Sequence, residues 1–176
     1  MTGNSMAGRA PHERLQPSLL DRLRDDAPDQ KTESRERRVL TMAQLRACVL
    51  RDVRWLLNAS TLDTVQDLEP YPEVRRSVLN YGMPDLAGRV VSDLDGPALE
   101  KELKRIVQDF EPRIKRKTLK VNVIIAQDES SYRAVRFEIQ GELWAEAAQM
   151  YLYLKTEVDL ETGTIRVSDA GERGSG

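Results

Sequence analysis

The chain has 176 residues, 40% of them hydrophobic and 32% charged, which suits one ordinary domain with a small core and a polar surface. Its 27 Lys and Arg against 29 Asp and Glu leave a formal net charge of -2, so no global field draws it onto nucleic acid or an anionic membrane, and electrostatic recognition must be local. No apolar run approaches the roughly 20 residues that span a bilayer, Met1 to Ala10 lacks an apolar signal core, and the single Cys48 rules out an internal disulfide; together these predict a cytoplasmic protein.

In chain order, residues 1–38 alternate charge with Pro, Ser and Gln and predict a largely flexible N-terminal segment. Within it, Pro17-Ser18-Leu19-Leu20-Asp21-Arg22-Leu23 forms a short amphipathic turn with Leu19, Leu20 and Leu23 on one side. That turn can dock on a partner or on the chain's own domain. Residues 39–168 predict a single α+β domain, and residues 169–176 a flexible tail.

The first strong helix begins at Thr41, which stands with Gln44 at capping-box spacing and is flanked by Leu40 and Leu45 at staple spacing. Met42, Leu45, Val49, Val53 and Leu56 continue it to about Asn58 as a buried stripe flanked by Cys48 and Trp55. From Ser60 to Leu94, Pro70, Pro72, Gly82, Pro84 and Gly88 limit the chain to short turns. Val74 to Tyr81 reads as one helical turn, closed by Gly82 in a left-handed conformation.

A second strong helix starts at Asp95-Gly96-Pro97 and buries Leu99, Leu103, Ile106, Val107 and Phe110. Pro112 lacks a backbone donor and forces Glu111 out of helical geometry, so the helix ends just before them and Glu111-Pro112-Arg113 is a fixed corner. Beyond the corner the apolar period changes to two. Leu119, Val121, Val123 and Ile125 share one face, as do Val135, Phe137 and Ile139, while Leu152, Leu154, Thr156, Val158 and Leu160 alternate with Tyr151, Tyr153, Lys155, Glu157 and Asp159. Glu161-Thr162-Gly163 turns into a final strand carrying Ile165 and Val167. The fold class is α+β: a small antiparallel meander of about four strands, covered on one face by the two long helices.

Chemistry is constrained by what is missing. With only His12 and Cys48, the chain has no Ser-His-Asp triad, no Cys-His pair, no zinc spacing and no Gly-rich phosphate loop, so no catalytic, metal or cofactor residues are assigned. Carboxylate-only glycoside hydrolysis would use Glu111, with Asp109 or Asp128 as the second acid. Arg113 opposes that use, since a general acid needs an apolar pocket, and the plain reading of Glu111 is a helix-end ion pair.

Arg113, Lys115, Arg116, Lys117 and Lys120 concentrate positive charge with no acid among them. The patch reads as a solvated strand entry, as a weak nucleic-acid site without interleaved aromatics, or as a surface for an acidic protein partner. Tyr151 and Tyr153, on the outward face of a strand, serve either cross-strand packing or a protein interface. Trp144 lies in a connection, as a core lid or an interface plug, and the meander's open edges can accept a strand.

Three segments together resemble the type VI secretion baseplate subunit TssE: residues 17–23, Arg76-Ser77-Val78-Leu79-Asn80-Tyr81-Gly82-Met83-Pro84-Asp85-Leu86, and Phe110-Glu111-Pro112-Arg113-Ile114. Gly141-Glu142-Leu143-Trp144-Ala145 and Val158-Asp159-Leu160-Glu161-Thr162-Gly163 are similar too. TssE in turn is similar to the lysozyme-like wedge proteins of contractile phage tails. The resemblance implies a non-enzymatic baseplate piece without cofactor, docked to the inner-membrane complex. It implies that Glu111, Pro112 and Arg113 contact the core bundle of TssF and TssG, with TssK reached indirectly. It also implies that the sheet templates the sheath subunits TssB and TssC. On these grounds Glu111, Pro112, Arg113, Lys115, Arg116, Tyr151 and Tyr153 are the expected partner-binding residues, with Leu19, Leu20 and Leu23 docking the N-terminal turn.

Overall fold

A computed structural model describes residues 18–23, 29, 40–125, 134–144 and 150–171. Most of the expected flexible segment 1–38, the alternative acid Asp128, Ala145 and the last five tail residues fall outside the described residues.

The elements run α1 (Leu19–Leu23), α2 (Met42–Asn58), α3 (Pro72–Arg75), α4 (Gly96–Phe110), β1 (Lys120–Ile125), β2 (Ala134–Leu143), β3 (Met150–Asp159) and β4 (Ile165–Asp169), with short 3-10 turns between α2 and α4. The capping box at α2 is formed: Gln44 N–H donates to Thr41 Oγ1 (3.2 Å) and Thr41 N–H to Gln44 Oε1 (2.8 Å). Thr41→Ala removes one arm and is expected to lower stability by about 1 kcal/mol in urea denaturation. At α4, Asp95 Oδ1 accepts from Ala98 N–H at 3.1 Å, and Pro97 occupies the first turn, where its missing N–H costs nothing.

The expected single turn over 74–81 is divided into α3 and a 3-10 turn at Val78–Asn80. Ser77 explains the break: its hydroxyl donates to Val74 O (2.9 Å) and accepts from Leu79 N–H (3.2 Å), taking the place of helical backbone bonds. Buried Asn80 then ties the region together, accepting from Asp63 N–H (2.9 Å) and donating to Arg75 O (3.1 Å).

The strands form one antiparallel sheet in the order β1-β2-β3-β4. Phe137 sits at its centre, opposite Val123 on one side and Thr156 on the other, and is fully buried. Leu119, Val121, Val135, Ile139, Leu152, Leu154 and Val158 share that buried face with the apolar stripes of α2 and α4. This is the α+β meander with two covering helices that the change of period predicts.

Helix side chains also occupy the sheet's two outer strands. Asn58 makes a reciprocal pair with Ile165, donating to its carbonyl and accepting from its N–H at 3.0 Å each, and Arg54 donates to Val167 O at 3.2 Å. The last strand runs one residue into the segment read as tail, ending at Asp169, which pairs with Arg46. On β1, Val123 N–H donates to Glu100 Oε1 at 2.8 Å. Of the two outer strands, β4 is the more heavily blocked.

Candidate partner-binding corner

The corner begins where α4 runs out. Glu111 N–H completes the last helical bond to Val107 O (2.9 Å), and Ile114 N–H then closes a tight turn onto Glu111 O (3.2 Å). Two further bonds fasten the turn to the end of β2: Trp144 N–H to Arg113 O (2.7 Å) and Lys115 N–H to Glu142 O (2.8 Å). Ile114 between them is buried opposite Leu143. Backbone hydrogen bonds therefore tie helix, turn and sheet together at this corner.

Glu111 is only 2% exposed. Its Oε1 accepts from Arg113 Nε (2.7 Å) and Arg113 N–H (3.1 Å), and its Oε2 from Arg113 Nη2 (2.5 Å). The same Nη2 reaches Asp52 Oδ2 on α2 at 2.6 Å. Burial disfavours the Arg113 charge, but the hydrogen bonds and charges of Glu111 and Asp52 outweigh it and raise the guanidinium pKa further above its ordinary value. Asp52 also binds Arg51 (2.7 Å), and Arg51 binds Asp21 of α1 (2.6 Å).

Above this network lies an open groove of about 510 Å³. Leu40, Leu45, Trp55, Tyr81 and Phe110 give it apolar walls, and the corner residues with Asp52 give it a charged floor. Tyr81 and Phe110 meet edge to face at 5.3 Å, and half-exposed Trp55 carries the Arg51 guanidinium 4.9 Å from its ring centroid. Apolar walls around a few oriented polar groups are the usual makings of a recognition site.

The expected site residues fall into three places. Glu111, Pro112 and Arg113 form the corner, with Pro112 exposed, Arg113 half-buried and Glu111 turned inward. Glu111 is thus not offered to solvent, because its partner is Arg113. The basic stretch is partly neutralised: Lys115 pairs with Glu142 (3.0 Å), and exposed Arg116 lies 4.0 Å from Asp109. Glu142 also hydrogen-bonds Tyr151, raising the phenol pKa and joining Lys115 to the outer sheet face. Tyr151 is exposed there, whereas Tyr153 is half-buried with its hydroxyl on Glu138 (2.8 Å). The third place is α1, where Leu19, Leu20 and Leu23 are exposed.

Sequence reasoning missed Asp52, Arg51, Asp21, Tyr81 and Trp55 as parts of this site. One signal was available for Asp52: it sits beside Val53 of the buried stripe, at the flank of α2 that faces the corner.

Chemically, the network holds shape. Glu111 and Asp52 are bound by one guanidinium nitrogen, so a glycosidic bond has no room between them. Asp109 is engaged by Arg105 at 3.1 Å instead. Among the described residues, no group of three His, Cys, Asp or Glu is placed to hold a metal ion, and no helix is long and apolar enough to cross a membrane.

These features define a class: a small α+β domain that presents a charge-locked corner beside an apolar groove. Residues 43–148 match the family described as baseplate wedge protein gp25, a stretch that includes all but the first residue of α2, the whole of α4 and the corner, and the chain belongs to that family. Its role is accordingly structural, within a baseplate and among other baseplate proteins. No curated protein and no solved structure matches the chain.

Proposed function

We propose that the chain is the TssE-type wedge subunit of a type VI secretion baseplate, working as a scaffold and not as an enzyme. Its corner binds the core bundle of TssF and TssG. Pro112 and the exposed flank of Arg113 make the contact, Glu111 holds Arg113 in position, and Lys115 and Arg116 extend the surface toward acidic partner groups. TssK is reached through that bundle. The assembly site is the cytoplasmic side of the inner-membrane complex, and residues 39–168 act as one wedge domain.

The sheet is the second contact in this reading, templating the first ring of TssB and TssC, with Tyr151 and Tyr153 on its outer face. The pairing edge is β1, where one helix side chain, Glu100, holds Val123 N–H, against two on the Ile165 and Val167 groups of β4. Displacing one carboxylate is the cheaper route to strand addition.

The observation that carries the reading is the rigid corner at the foot of a groove of about 510 Å³. Testing it needs a variant that keeps the fold while removing the corner's charges. Glu111→Met/Arg113→Met replaces a largely buried ion pair by apolar groups of similar size, an exchange that is often neutral for stability. Co-purification of the wedge core proteins with this double variant is expected to fall about tenfold or more. Capture equal to wild type would overturn the assigned contact.

A further inference from the structure

Residues 18–23 carry their polar and apolar sides in an unexpected arrangement. Ser18 Oγ donates to Asp21 Oδ2 (2.6 Å) and Arg51 Nη1 donates to Asp21 Oδ1 (2.6 Å), leaving the Asp21 side chain 9% exposed. Leu19, Leu20 and Leu23 are 71%, 50% and 74% exposed. A segment docked by the hydrophobic effect would show the reverse. α1 is held on α2 by a carboxylate, and its leucines remain presented.

That carboxylate opens an alternating ion chain that ends at the corner: Asp21 to Arg51 (2.6 Å), Arg51 to Asp52 (2.7 Å), Asp52 to Arg113 (2.6 Å) and Arg113 to Glu111 (2.5 Å). Ser18 and Leu20 also line the groove above the corner. Thus α1 touches the site twice, once as a wall and once through charge.

We infer that α1 is a latched wall of the groove: the Asp21–Arg51 pair seats it, and a partner at the corner binds with α1 seated, so that latch and partner stabilise one another. The coupling half of this inference rests on the corner being a partner site. If the latch is lost, Leu20 leaves the wall, and Arg51 is left with Asp52 as its acidic partner among the described residues, loosening the hold of Asp52 on Arg113. Linkage makes the effect reciprocal, so a partner that needs the wall must also shift α1 toward its seated state.

Cys48 reports the latch, because the thiol lies against Asp21. Burial raises its pKa first, the Asp21 charge and hydrogen bond raise it further, and Arg51 lowers it. Asp21→Asn and Arg51→Gln both break the pair but push the thiol in opposite electrostatic directions. Thiol labelling of the free full-length chain with 5,5′-dithiobis(2-nitrobenzoate) is expected to accelerate roughly tenfold in both variants, while Asp21→Glu stays near wild type. Faster labelling in Asp21→Asn with slower labelling in Arg51→Gln would mean that charge alone acts, and would overturn the latch. Capture of the wedge core proteins by Asp21→Asn is expected to fall about fivefold or more. An opened latch with undiminished capture overturns the coupling and leaves the corner contact standing. Failure of the Glu111→Met/Arg113→Met experiment would remove the contact while leaving the labelling result intact.

Discussion

Glu111→Ala is expected to lower the stability of the domain by about 3 kcal/mol, the cost of emptying a buried site and taking from the half-buried Arg113 charge the nearer of its two carboxylates. The carboxylate is 2% exposed, and its oxygens accept three hydrogen bonds from Arg113. Without it, the guanidinium keeps Asp52 alone and sits over a void where the side chain was. The turn also loses the bond that fixes Arg113 N–H, so the fastening of Arg113 and Lys115 to the end of β2 weakens. Glu111→Gln preserves shape and some of the bonds, and should cost about half as much. Urea denaturation with a constant slope checks both values. The double substitution to methionine should be milder than Glu111→Ala, since the guanidinium leaves with its carboxylate, the space stays filled and Asp52 keeps Arg51. Were Glu111→Ala as stable as wild type, the pair would be ornamental and the rigid-corner argument would fail. The same measurement matters for function, because reduced partner capture by Glu111→Ala alone would confuse a lost contact with a lost fold.

The corner was legible as a position and as a helix-end ion pair of Glu111 with Arg113, but its burial and its second carboxylate were not. Pro112 dictates the helix end from its covalent structure, and the change from period 3.6 to period 2 places a sheet directly after it; both are local properties of the chain. An acid after a helix reads as an ion pair with the nearby Arg113, and the basic stretch that follows as a solvated strand entry. The second carboxylate on Arg113 is that of Asp52, which is 61 positions from Arg113 in sequence and 2.6 Å from it in space. No local pattern encodes that meeting. The same reason hid the role of Asp21, 30 positions from Arg51. The strand pattern likewise announced which residues face inward, since alternation is local. It could not announce that Asn58 and Arg54 would cover the backbone groups of β4, because those bonds join residues more than a hundred positions apart. The basic stretch illustrates the point from the other side: Lys115 meets Glu142 across 27 positions, so what reads in sequence as a field of like charge is partly paired in space.

Gly82→Ala is expected to destabilise the domain by about 3 kcal/mol or more, because backbone strain and steric overlap act together. Gly82 has φ +131, and a Cβ there would overlap Ala59 O and stand 2.7 Å from Ala59 C. Both are backbone atoms, so no side-chain rotation relieves the contact. The close approach exists because the chain leaving α2 is bonded to the returning loop, with Met83 N–H on Ala59 O (2.8 Å) and Thr61 N–H on Met83 O (3.2 Å). Met83 and Leu86 are buried just beyond, so the loop cannot lift away without opening the core. Gly88 provides the control: its φ is +74 but nothing lies within 4 Å of a Cβ, so Gly88→Ala should cost only about 1 kcal/mol. Thermal denaturation of the two variants separates strain from overlap, and equal losses would refute the steric argument. The consequence reaches the site, because Tyr81 immediately precedes Gly82 and builds the groove wall with Phe110 at 5.3 Å. Gly82→Ala should therefore weaken partner capture below its melting range while Gly88→Ala does not, which would tie the shape of the groove to the loop that closes behind α2.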